Sequence, residues 1–417
     1  MNSWTGEVGM RELTATVVGG GIAGLASATA LARAGWRTTV VERTGSFGEV
    51  GAGVAIPRNG IAALRSLGVD DDAVAALGHE DLGTGFRDSA GRWILRIPDD
   101  DPAVRWTITI WGVHRARLHA TLQAAARAAG VELVTGATVT AVDAGAPGAA
   151  PGSVTWLEGA TERRLESDLV VGADGMWSAV RGAVFPRSRP RYSGSTSWRA
   201  VVRDTASEGR LVEMWGAGAE FGAMRISESE LYWYGYFRHP EGATFDDELT
   251  AARDRFAGWS PWALDLIEAT DPDRLLRHDV YHLPGGLPSY QRGRVVMVGD
   301  AAHAALPTMG QGAASALEDG ASLGPLVGSA VVAGRDLSGA LAAFDAARRP
   351  RCRAIARNAR LMARFGADLG GGWRQPVRNS LLRLAPGAGV ARAGGSIVRW
   401  VPPTAPNASG ETVPGAA

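Results

Sequence analysis

The hydrophobic pattern near the start of the chain predicts a strand, a helix and a second strand. A β-rich apolar run at 15–18 leads into three consecutive glycines, residues 22–34 have the composition of an apolar helix, and 38–42 have the pattern of another strand. This order is that of a βαβ unit, in which a crossover helix joins two parallel strands.

Two later segments have a different pattern. Residues 84–111 and 190–283 alternate between polar and apolar positions, contain many aromatic residues and show few helical periods. We therefore predict a mostly antiparallel sheet there. The other predicted strands lie within 131–142, 168–172 and 293–299, and the other predicted helices at 116–129, 313–327, 341–365 and 379–384. Residues 403–417 have the composition of a disordered tail.

Composition and charge exclude several classes of function. The 43 basic residues balance 43 acidic ones, so the charge indicates neither a nucleic acid nor an anionic membrane as partner. The sequence contains no lysine, which rules out a Schiff-base or P-loop lysine. Its one cysteine, Cys352, allows neither an intramolecular disulfide nor a CxxC site. Because long apolar runs and a signal-peptide pattern are absent, we expect a cytoplasmic protein without a membrane span.

A nucleotide-binding fingerprint lies between the first strand and the first helix. Gly19, Gly21 and Gly24 have the spacing GxGxxG. In this motif the first glycine permits a tight turn, the second lets a pyrophosphate approach the backbone, and the third allows the helix to pack closely on the strand. The start of the helix also offers free N–H groups and a partial positive charge to phosphates. The alternative is a glycine-rich turn that binds no ligand.

The second predicted strand ends at Glu42, where the fingerprint calls for a carboxylate. This side chain can accept hydrogen bonds from both ribose hydroxyls, and it would repel a 2′-phosphate. The site therefore favours the adenosine of FAD or NAD over that of NADP. Further candidates for contact with the nucleotide are Ala23, inside the motif, and Arg43, next to Glu42.

Four segments outside the βαβ unit carry further motifs. They are DLVVGADGMWSAVR at 168–181, RVVMVGDAAHAALPTMGQGAASALEDG at 294–320, HRARL at 114–118 and GAGV at 51–54. The first resembles the DG motif, and the second over its full length the GD motif, of the FAD-dependent aromatic hydroxylases, the para-hydroxybenzoate hydroxylase-like flavoprotein monooxygenases. The third is similar to the arginine-before-leucine signature of that family and the fourth to its loop beside the flavin. The resemblance covers nearly the whole chain.

The resemblance implies FAD as the cofactor and gives roles to residues of these motifs. Asp300 would hold the ribityl chain or a ribose, and Pro307 would provide a rigid surface without an N–H beside the flavin ring. Gly310 and Gly312 lead into a helix near Ala313, whose N-terminus would stabilise negative charge on the pyrimidine end of the reduced ring. The remaining candidates for FAD contact are Gly53, Val54, Arg115 and Asp174.

Several polar residues of these motifs also have structural explanations. Asp174 precedes a glycine and would be an ordinary turn aspartate, and Arg115 would be a solvated residue at a helix start. We expect His303 to be packed for structural reasons. Asp319 and Glu318 have the pattern of charges on a helix surface.

The aromatic-rich sheet is the expected source of an apolar slot for an electron-rich aromatic substrate. Aromatic residues at alternating strand positions are more often core, so only one face of 232–236 can line a cavity, and we select Tyr234. Arg199 resembles an arginine near the flavin in salicylate hydroxylase-like and tetracycline-modifying members of the family. It is a candidate anchor, with a surface arginine as the alternative. We place Arg199 and Tyr234 with Pro307 at the catalytic centre.

Other polar groups suggest weaker hypotheses. Some relatives carry a histidine base where this chain has residues 222–226, which contain no histidine, so the base lies elsewhere or the substrate ionises by itself. Arg225 would favour such an anion. His278 and His282 lack an apparent third ligand, so we predict no metal site. The arginine run at 348–364 is expected to be a solvated helix face.

Together with the resemblance, the pattern predicts an α/β fold. It consists of a Rossmann-like FAD-binding domain, an inserted, mostly antiparallel β-sheet substrate domain, and C-terminal helices. The expected FAD-binding domain comprises residues 11–80, 112–185 and 284–365. The substrate domain comprises 81–111 and 186–283, and residues 366–417 form a C-terminal helix and a flexible tail.

The resemblance also implies a reaction. NADH or NADPH would reduce FAD, and dioxygen would then form a flavin hydroperoxide that transfers one oxygen atom, by hydroxylation or epoxidation, to an electron-rich aromatic or polyketide-like small molecule. The expected molecule is a monomer or a homodimer. The alternatives are an FAD-dependent oxidoreductase on the same scaffold that inserts no oxygen, and a catalytically silent flavin-binding regulator. A flavin halogenase is disfavoured because it would need a lysine.

Overall fold

The computed structural model describes residues 11–46, 52–203 and 211–404. The strands of these residues are β1 (Thr14–Val18), β2 (Arg37–Val41), β3 (Gly53–Pro57), β4 (Gly78–Leu82), β5 (Gly85–Asp88), β6 (Trp93–Arg96), β7 (Thr109–His114), β8 (Glu132–Val134), β9 (Ala137–Asp143), β10 (Gly152–Glu158), β11 (Thr161–Ser167), β12 (Leu169–Gly172), β13 (Arg191–Arg203), β14 (Val212–Gly216), β15 (Ala219–Ser227), β16 (Glu230–Arg238), β17 (Leu276–His282), β18 (Gln291–Arg292) and β19 (Val295–Met297).

The helices of the same residues are α1 (Ile22–Arg33), α2 (Arg58–Ser66), α3 (Asp71–Leu77), α4 (Pro102–Ile108), α5 (Arg115–Ala128), α6 (Ala179–Val184), α7 (Glu248–Arg255), α8 (Pro261–Glu268), α9 (Asp300–His303), α10 (Gly312–Leu323), α11 (Ala330–Val332), α12 (Leu337–Phe365), α13 (Arg374–Leu384) and α14 (Gly387–Val398). A π-helical segment, Gly324–Ser329, joins α10 to α11, and short 3-10 turns cover Pro272–Arg274 and Pro307–Met309.

A six-stranded sheet in the order β18-β19-β12-β1-β2-β8 forms the Rossmann-like core. All neighbouring strands are parallel except the short edge strand β18. Helix α1 and the small antiparallel sheet of β9, β10 and β11 pack against these strands, so β12 and β19 are buried at every position. This confirms the βαβ opening. Because parallel strands end at the same edge, the fingerprint, DG and GD motifs begin side by side.

A seven-stranded sheet in the order β17-β13-β16-β15-β14-β5-β6 forms the second large layer. Its pairs are antiparallel apart from β14 and β5. Side chains alternate along each strand, so Trp198, Phe221 and Trp233 share one face, where they pack with Phe256 of the α7–α8 region. The predicted mostly antiparallel sheet is therefore confirmed.

The other face of this sheet, which we call the inner face, lies against the Rossmann-like part. It carries Met224, Tyr232 and Tyr234, which pack with Ala52 and Ala55 at the start of β3. The inner face is thus the surface of the sheet that approaches the nucleotide motifs.

The prediction of few helical periods in 84–111 and 190–283 is wrong in part, because α4, α7 and α8 lie there. Each helix has only seven or eight residues. An amphipathic pattern of two turns is hard to distinguish from strand alternation. Such short helices are stabilised mainly by tertiary packing, which α7 and α8 find on the sheet.

The prediction of one short helix after residue 366 is also wrong, since α13 is longer than expected and α14 was not predicted. Four of the twelve residues of α14 are glycine, which lowers helix propensity. Close packing compensates for this: a Cβ at Gly387 would lie 2.0 Å from the carbonyl oxygen of Arg96, and Ala391 packs with Val104 of α4. Residues 405–417 of the predicted tail lie outside the described residues.

The predicted α/β class, with a Rossmann-like sheet, an antiparallel sheet and C-terminal helices, is confirmed. The division of the chain into an FAD-binding domain, a substrate domain and a C-terminal region stays a prediction. In the part of the chain that the structure describes, no helix has both the length and the apolar composition needed to cross a bilayer.

Candidate active site

The three fingerprint glycines meet different surroundings. Gly19 has φ +102°, and a Cβ there would lie 2.5 Å from the carbonyl oxygen of Ala173. A Cβ on Gly24 would lie 1.8 Å from the carbonyl oxygen of Gly19, so both glycines are needed for β1, α1 and β12 to pack. A Cβ on Gly21, in contrast, would meet no atom within 4 Å. Gly21 and the N-terminus of α1 therefore leave the room that a pyrophosphate requires.

Glu42 lies beside this N-terminus, at the end of β2. Its carboxylate accepts hydrogen bonds from the N–H of Gly20 at 2.7 Å and from the N–H of Thr44 at 2.9 Å. The side chain is half-buried, and the neighbouring Arg43 is exposed. The carboxylate is thus held at the edge of the fingerprint, where a ribose would lie.

Asp174 of the DG motif follows β12 and binds the start of α6. Its carboxylate accepts hydrogen bonds from the Ser178 hydroxyl at 2.5 Å and from the N–H of Val180 at 3.1 Å. Burial raises the pKa of Asp174. Arg181, on α6, donates from Nη1 to the carbonyl oxygen of Ala301 at 3.1 Å. The DG motif therefore braces the GD motif, and Asp174 serves the turn that precedes α6.

The GD motif packs directly on the fingerprint. Gly299 has φ +57°, and a Cβ there would lie 2.6 Å from the methyl group of the buried Ala23. Asp300 is the first residue of α9, and its side chain is exposed. Pro307 begins the 3-10 turn, next to Leu306, which packs against the inner face. These residues bring the GD motif between the nucleotide end and the seven-stranded sheet.

Helix α10 begins directly after this turn. Gly310 is left-handed, with φ +60°, and Gln311 makes no side-chain cap to the helix N-terminus. A Cβ on Gly312 would meet no atom within 4 Å, and Ala313 beside it is half-buried. Two helix N-termini, those of α1 and α10, thus have uncrowded first turns. Each N-terminus therefore offers N–H groups to a negatively charged group of a ligand.

Strand β3 and the start of α5 form the opposite side of the site. A Cβ on Gly53 would lie 2.2 Å from the ring of Tyr232, so this glycine lets β3 approach the inner face. Val54 is half-buried, and Arg115 begins α5 with an exposed side chain. Gly51, the first residue of the GAGV segment, lies outside the described residues.

The inner face brings Arg199 and Tyr234 together. They are paired across β13 and β16, and Arg199 is also opposite Leu276 of β17. The Arg199 side chain is half-buried, and its Nε donates to the Ser197 hydroxyl at 3.4 Å. Burial lowers the pKa of His278, and the Arg199 charge lowers it further. Both predicted substrate residues, Arg199 and Tyr234, therefore lie on the inner face, which packs against the part of the chain that carries the nucleotide motifs.

Arg225 does not lie on this face. It alternates with Met224, which packs on the inner face, and its Nη1 donates to the carbonyl oxygen of Glu228 at 2.9 Å. The hypothesis that Arg225 favours a substrate anion is therefore wrong, because a shift of one residue along a strand reverses the face.

A buried charge network lies beneath α10, and the sequence-based interpretation missed it. Glu318 and Asp319 are both 0% exposed, and Arg348 of α12 is 1% exposed. Arg348 donates to Asp319 at 2.7 Å and to Glu318 at 2.5 Å, and Arg351 donates twice more to Glu318. The expectations of surface charges at Glu318 and Asp319 and of a solvated arginine at 348 are wrong. The available signal was the composition of α10, in which these two acids are the only charged residues.

The network holds the GD motif in place. Asp319 accepts hydrogen bonds from His303 at 2.5 Å and from the N–H of Gly299 at 2.8 Å. Although burial acts in the opposite direction, the charges of His303 and Arg348 lower the pKa of Asp319 to about 2. His303 is buried and packed, in agreement with its predicted structural role. The network is therefore a support for the backbone at Gly299 and Asp300.

One group of potential metal ligands lies in the same network. Among the described residues, His303, Asp319 and Cys352 bring ligand atoms within 4.8 Å of one another. His303 and Asp319 are bonded to each other, and the Arg348 guanidinium already occupies the other carboxylate oxygen. These contacts account for the group without a metal, and the expectation of no metal site stays a prediction.

A pair of carboxyl groups on the inner face was also missed. The carboxyl groups of Glu213 on β14 and Glu220 on β15 interact with each other, and the Tyr234 hydroxyl on β16 interacts with Glu220. Burial raises the pKa of Glu213 to about 7 and that of Glu220 well above its ordinary value. The two carboxyls therefore share a proton near neutral pH. The sequence around these two glutamates does not distinguish them from glutamates on a solvated strand face, so the pair could not be predicted.

The shared proton predicts a dependence of stability on pH. Glu213 has a pKa of about 7 in the folded protein and an ordinary value of 4.5, so the folded state binds more protons between these values. The stabilisation that this protonation contributes to folding is then fully present below pH 4.5 and is lost as the pH rises through 7. The free energy of unfolding falls by about 3 kcal/mol over this range. Urea unfolding at pH 5 and pH 8 is expected to show this loss, and Glu213→Gln to remove most of it. Glu228→Gln, at an exposed position, is the control, and an unchanged pH dependence in Glu213→Gln would contradict the shared proton.

Comparisons with known proteins agree with this geometry. A family model described as "FAD binding domain" matches residues 12–359. The chain is 37% identical over 312 residues to aurachin C monooxygenase/isomerase of Stigmatella aurantiaca, covering 74% of this chain and 78% of that protein. It is 34% identical over 390 residues to the FAD-dependent monooxygenase OpS4 of Beauveria bassiana, covering 88% of each.

A solved structure shows the same fold with the cofactor present. HpxO of Klebsiella pneumoniae, complexed with FAD and uric acid, superposes with a TM-score of 0.80 at 25% identity, over 93% of this chain and 96% of that one. The cofactor is FAD, and NAD(P)H is the electron donor typical of this family. The alternatives without oxygen insertion are set aside, because the similar proteins are monooxygenases. The chain belongs to the FAD-binding-domain family and is an FAD-dependent monooxygenase.

Proposed function

We propose that this monooxygenase inserts one oxygen atom into an electron-rich aromatic or heteroaromatic small molecule bound on the inner face of the seven-stranded sheet. The observation that carries the proposal is the convergence of three elements. Arg199 and Tyr234 share the inner face, Gly53 lets β3 reach the ring of Tyr232, and Leu306 brings the Pro307 turn onto the same surface. Uric acid, the molecule bound in HpxO, is a heteroaromatic compound, which supports the substrate class.

The cofactor would extend from the fingerprint to the Pro307 turn. FAD, when bound, supplies the redox chemistry that links NAD(P)H and dioxygen to the substrate. The residues proposed to bind the adenosine and pyrophosphate are Gly19, Gly21, Ala23, Gly24, Glu42 and Arg43. Those proposed to surround the ribityl chain and the flavin ring are Gly53, Val54, Arg115, Asp174, Asp300, Gly310, Gly312 and Ala313.

Three residues would act near the reacting atoms. Pro307 provides a surface that donates no hydrogen bond, and Arg199 places a positive charge opposite Tyr234 on the inner face. Tyr234 can donate a hydrogen bond because burial raises its pKa well above the usual value and keeps the hydroxyl protonated. The packed sheet on one side and the GD motif on the other would limit access of water.

Anaerobic mixing of the FAD-loaded protein with NADH or NADPH tests the function. With a panel of phenols, quinolones and purines, one class is expected to accelerate flavin bleaching. Aerobic turnover with the same compound is expected to yield a product heavier by one oxygen atom. Bleaching without any oxygenated product across the panel would contradict the proposed substrate class.

The anchor role of Arg199 is tested with the compound that accelerates bleaching most. Arg199→Met is expected to raise the KM for that compound by about 10-fold or more, because a hydrogen-bonding cation on the inner face is lost. Arg225→Met, on the opposite face of the same sheet, is the matched control. Equal KM values for Arg199→Met and the parent protein would exclude Arg199 as an anchor.

A further inference from the structure

The carboxyl pair on the inner face occupies an unusual position for two acids. Glu213 is paired in register with Gly222, and Glu220 is paired with Trp215 and Tyr236. These residues alternate with the outward-packed Met214 and Phe221, so both carboxyls project from the inner face. They therefore share the surface on which we propose that the substrate binds.

The surrounding side chains hold the pair in a fixed arrangement. The Trp215 Nε1–H donates to Glu213 at 3.2 Å. A Cβ on Gly222 would lie 2.5 Å from the Tyr234 hydroxyl oxygen, so the glycine lets the Tyr234 ring cross the neighbouring strand and approach Glu220. The absence of a side chain at Gly222 therefore makes room for Tyr234 beside the acids.

Among the described residues, no salt bridge joins Glu213 or Glu220 to a cation, although Glu220 is only 3% exposed. The guanidinium of Arg378 lies over the ring of Trp215, the donor to Glu213, at 5.3 Å from the ring centre.

Asp368, which follows α12, adds a third acidic group near Glu220, and its Oδ1 is buried without a hydrogen-bond partner in the described chain. The charges of Arg238 and Arg364 act on Asp368 from its other side. Above pH 7, where Glu213 is ionised, the half-buried Glu213 and the buried Glu220 carry at least one negative charge between them. Such a site costs free energy unless a donor group meets it.

The inner face therefore has two chemically different ends. Arg199 lies on β13 and the two acids on β14 and β15. Tyr234, on β16, lies between the arginine and the acids. The segment after α12 contacts the β14–β15 turn beside the acids, since the N–H of Gly218 donates to the carbonyl oxygen of Leu369 at 3.0 Å. A molecule bound on the inner face beside Tyr234 would meet the acids as hydrogen-bond acceptors.

We infer that Glu213, Glu220 and Tyr234 form a recognition site for a ring N–H or hydroxyl group of the substrate, and that this site rejects rings carrying a carboxylate there. The inference rests on the proposed function and specifies its substrate class. An N–H or O–H can donate to a carboxyl oxygen of the pair, whereas a carboxylate would add a further negative charge to an acidic site. Sites built to receive a donor discriminate strongly, because their polar groups are otherwise left unpaired.

Binding of two matched probes to the FAD-loaded protein tests the inference. The probes are 4(1H)-quinolone and 4-hydroxyquinoline-2-carboxylate, which differ by one carboxylate, and binding is followed by the perturbation of the flavin absorbance. We expect the parent protein to bind the first at least about 10-fold more tightly than the second. Glu213→Gln, which removes the charge but keeps the shape, is expected to reduce this preference to less than about 3-fold.

Further variants separate recognition from general damage. Tyr234→Phe is expected to weaken quinolone binding without improving binding of the carboxylate, because it removes a hydrogen bond but no charge. Glu228→Gln, an exposed acid on the hairpin after β15, is the control and is expected to keep the parental preference.

Three results would overturn the inference: equal affinity of the parent protein for both probes, an unchanged preference in Glu213→Gln, or a flavin spectrum that responds to neither probe. The bleaching panel separates these results from failure of the proposed function. The remaining case is that an aromatic compound accelerates bleaching and is oxygenated while Glu213→Gln leaves the preference between the two probes unchanged. In that case the proposed function stands and the recognition site is wrong.

Discussion

Replacing Arg348 with methionine is expected to lower the free energy of unfolding by about 3–5 kcal/mol. The variant leaves Glu318 and Asp319 buried with fewer partners, and an unpaired charge inside a protein is costly. Methionine keeps most of the volume, so the loss reports charge pairing more than packing. Urea unfolding followed by tryptophan fluorescence measures it.

Arg357→Met is the matched control for this substitution. Arg357 lies on the same helix, but its side chain is exposed. Its replacement is expected to change stability by less than about 0.5 kcal/mol. Equal losses in the two variants would show that the buried network has no special contribution. Because Asp319 also binds the N–H of Gly299, Arg348→Met is expected to loosen FAD binding as well.

Replacing Gly21 with valine is expected to weaken FAD binding by at least about 100-fold while leaving the protein without FAD equally stable. Gly21 has φ −76°, which any residue adopts, and a Cβ there would meet no protein atom within 4 Å. The added side chain would instead occupy the space that the pyrophosphate needs. The FAD-to-protein ratio after gel filtration and the Tm of the FAD-free protein measure the two effects.

Substitutions at two other glycines serve as controls for Gly21→Val. Gly182, in α6, also has an open Cβ position, but it lies away from the fingerprint, so Gly182→Val is expected to retain FAD. Gly24→Ala is expected to destabilise even the FAD-free protein, because its Cβ would lie 1.8 Å from a backbone oxygen. Full retention of FAD by Gly21→Val would contradict the placement of the pyrophosphate.

The βαβ opening and the cofactor motifs were predictable because their information is local. Gly19, Gly21 and Gly24 lie at the junction of β1 and α1, and the packing of this junction requires glycine at positions 19 and 24. The GD motif likewise joins a buried strand to a helix start within a few residues. Short-range sterics determine such segments, so their spacing alone indicates the fold and the cofactor.

The short helices and α14 were not predictable in the same way. A helix of seven or eight residues gains little from its own hydrogen bonds, and α14 contains four glycines. These segments become helical because a neighbouring surface covers them. That surface is assembled from residues distant in sequence, which a local pattern does not contain.

For the charged residues of the site, too, some properties follow from the sequence and others only from the tertiary structure. The number of acids, the absence of lysine and the positions of the motifs follow from the chain itself, and they suffice to indicate a flavin enzyme. Whether Glu318 is solvated or buried against Arg348, and whether Glu213 meets Glu220 and Tyr234, depends on how helices and strands pack. Burial then changes the energy of each charge by several kcal/mol according to its partners, and only the three-dimensional arrangement supplies those partners.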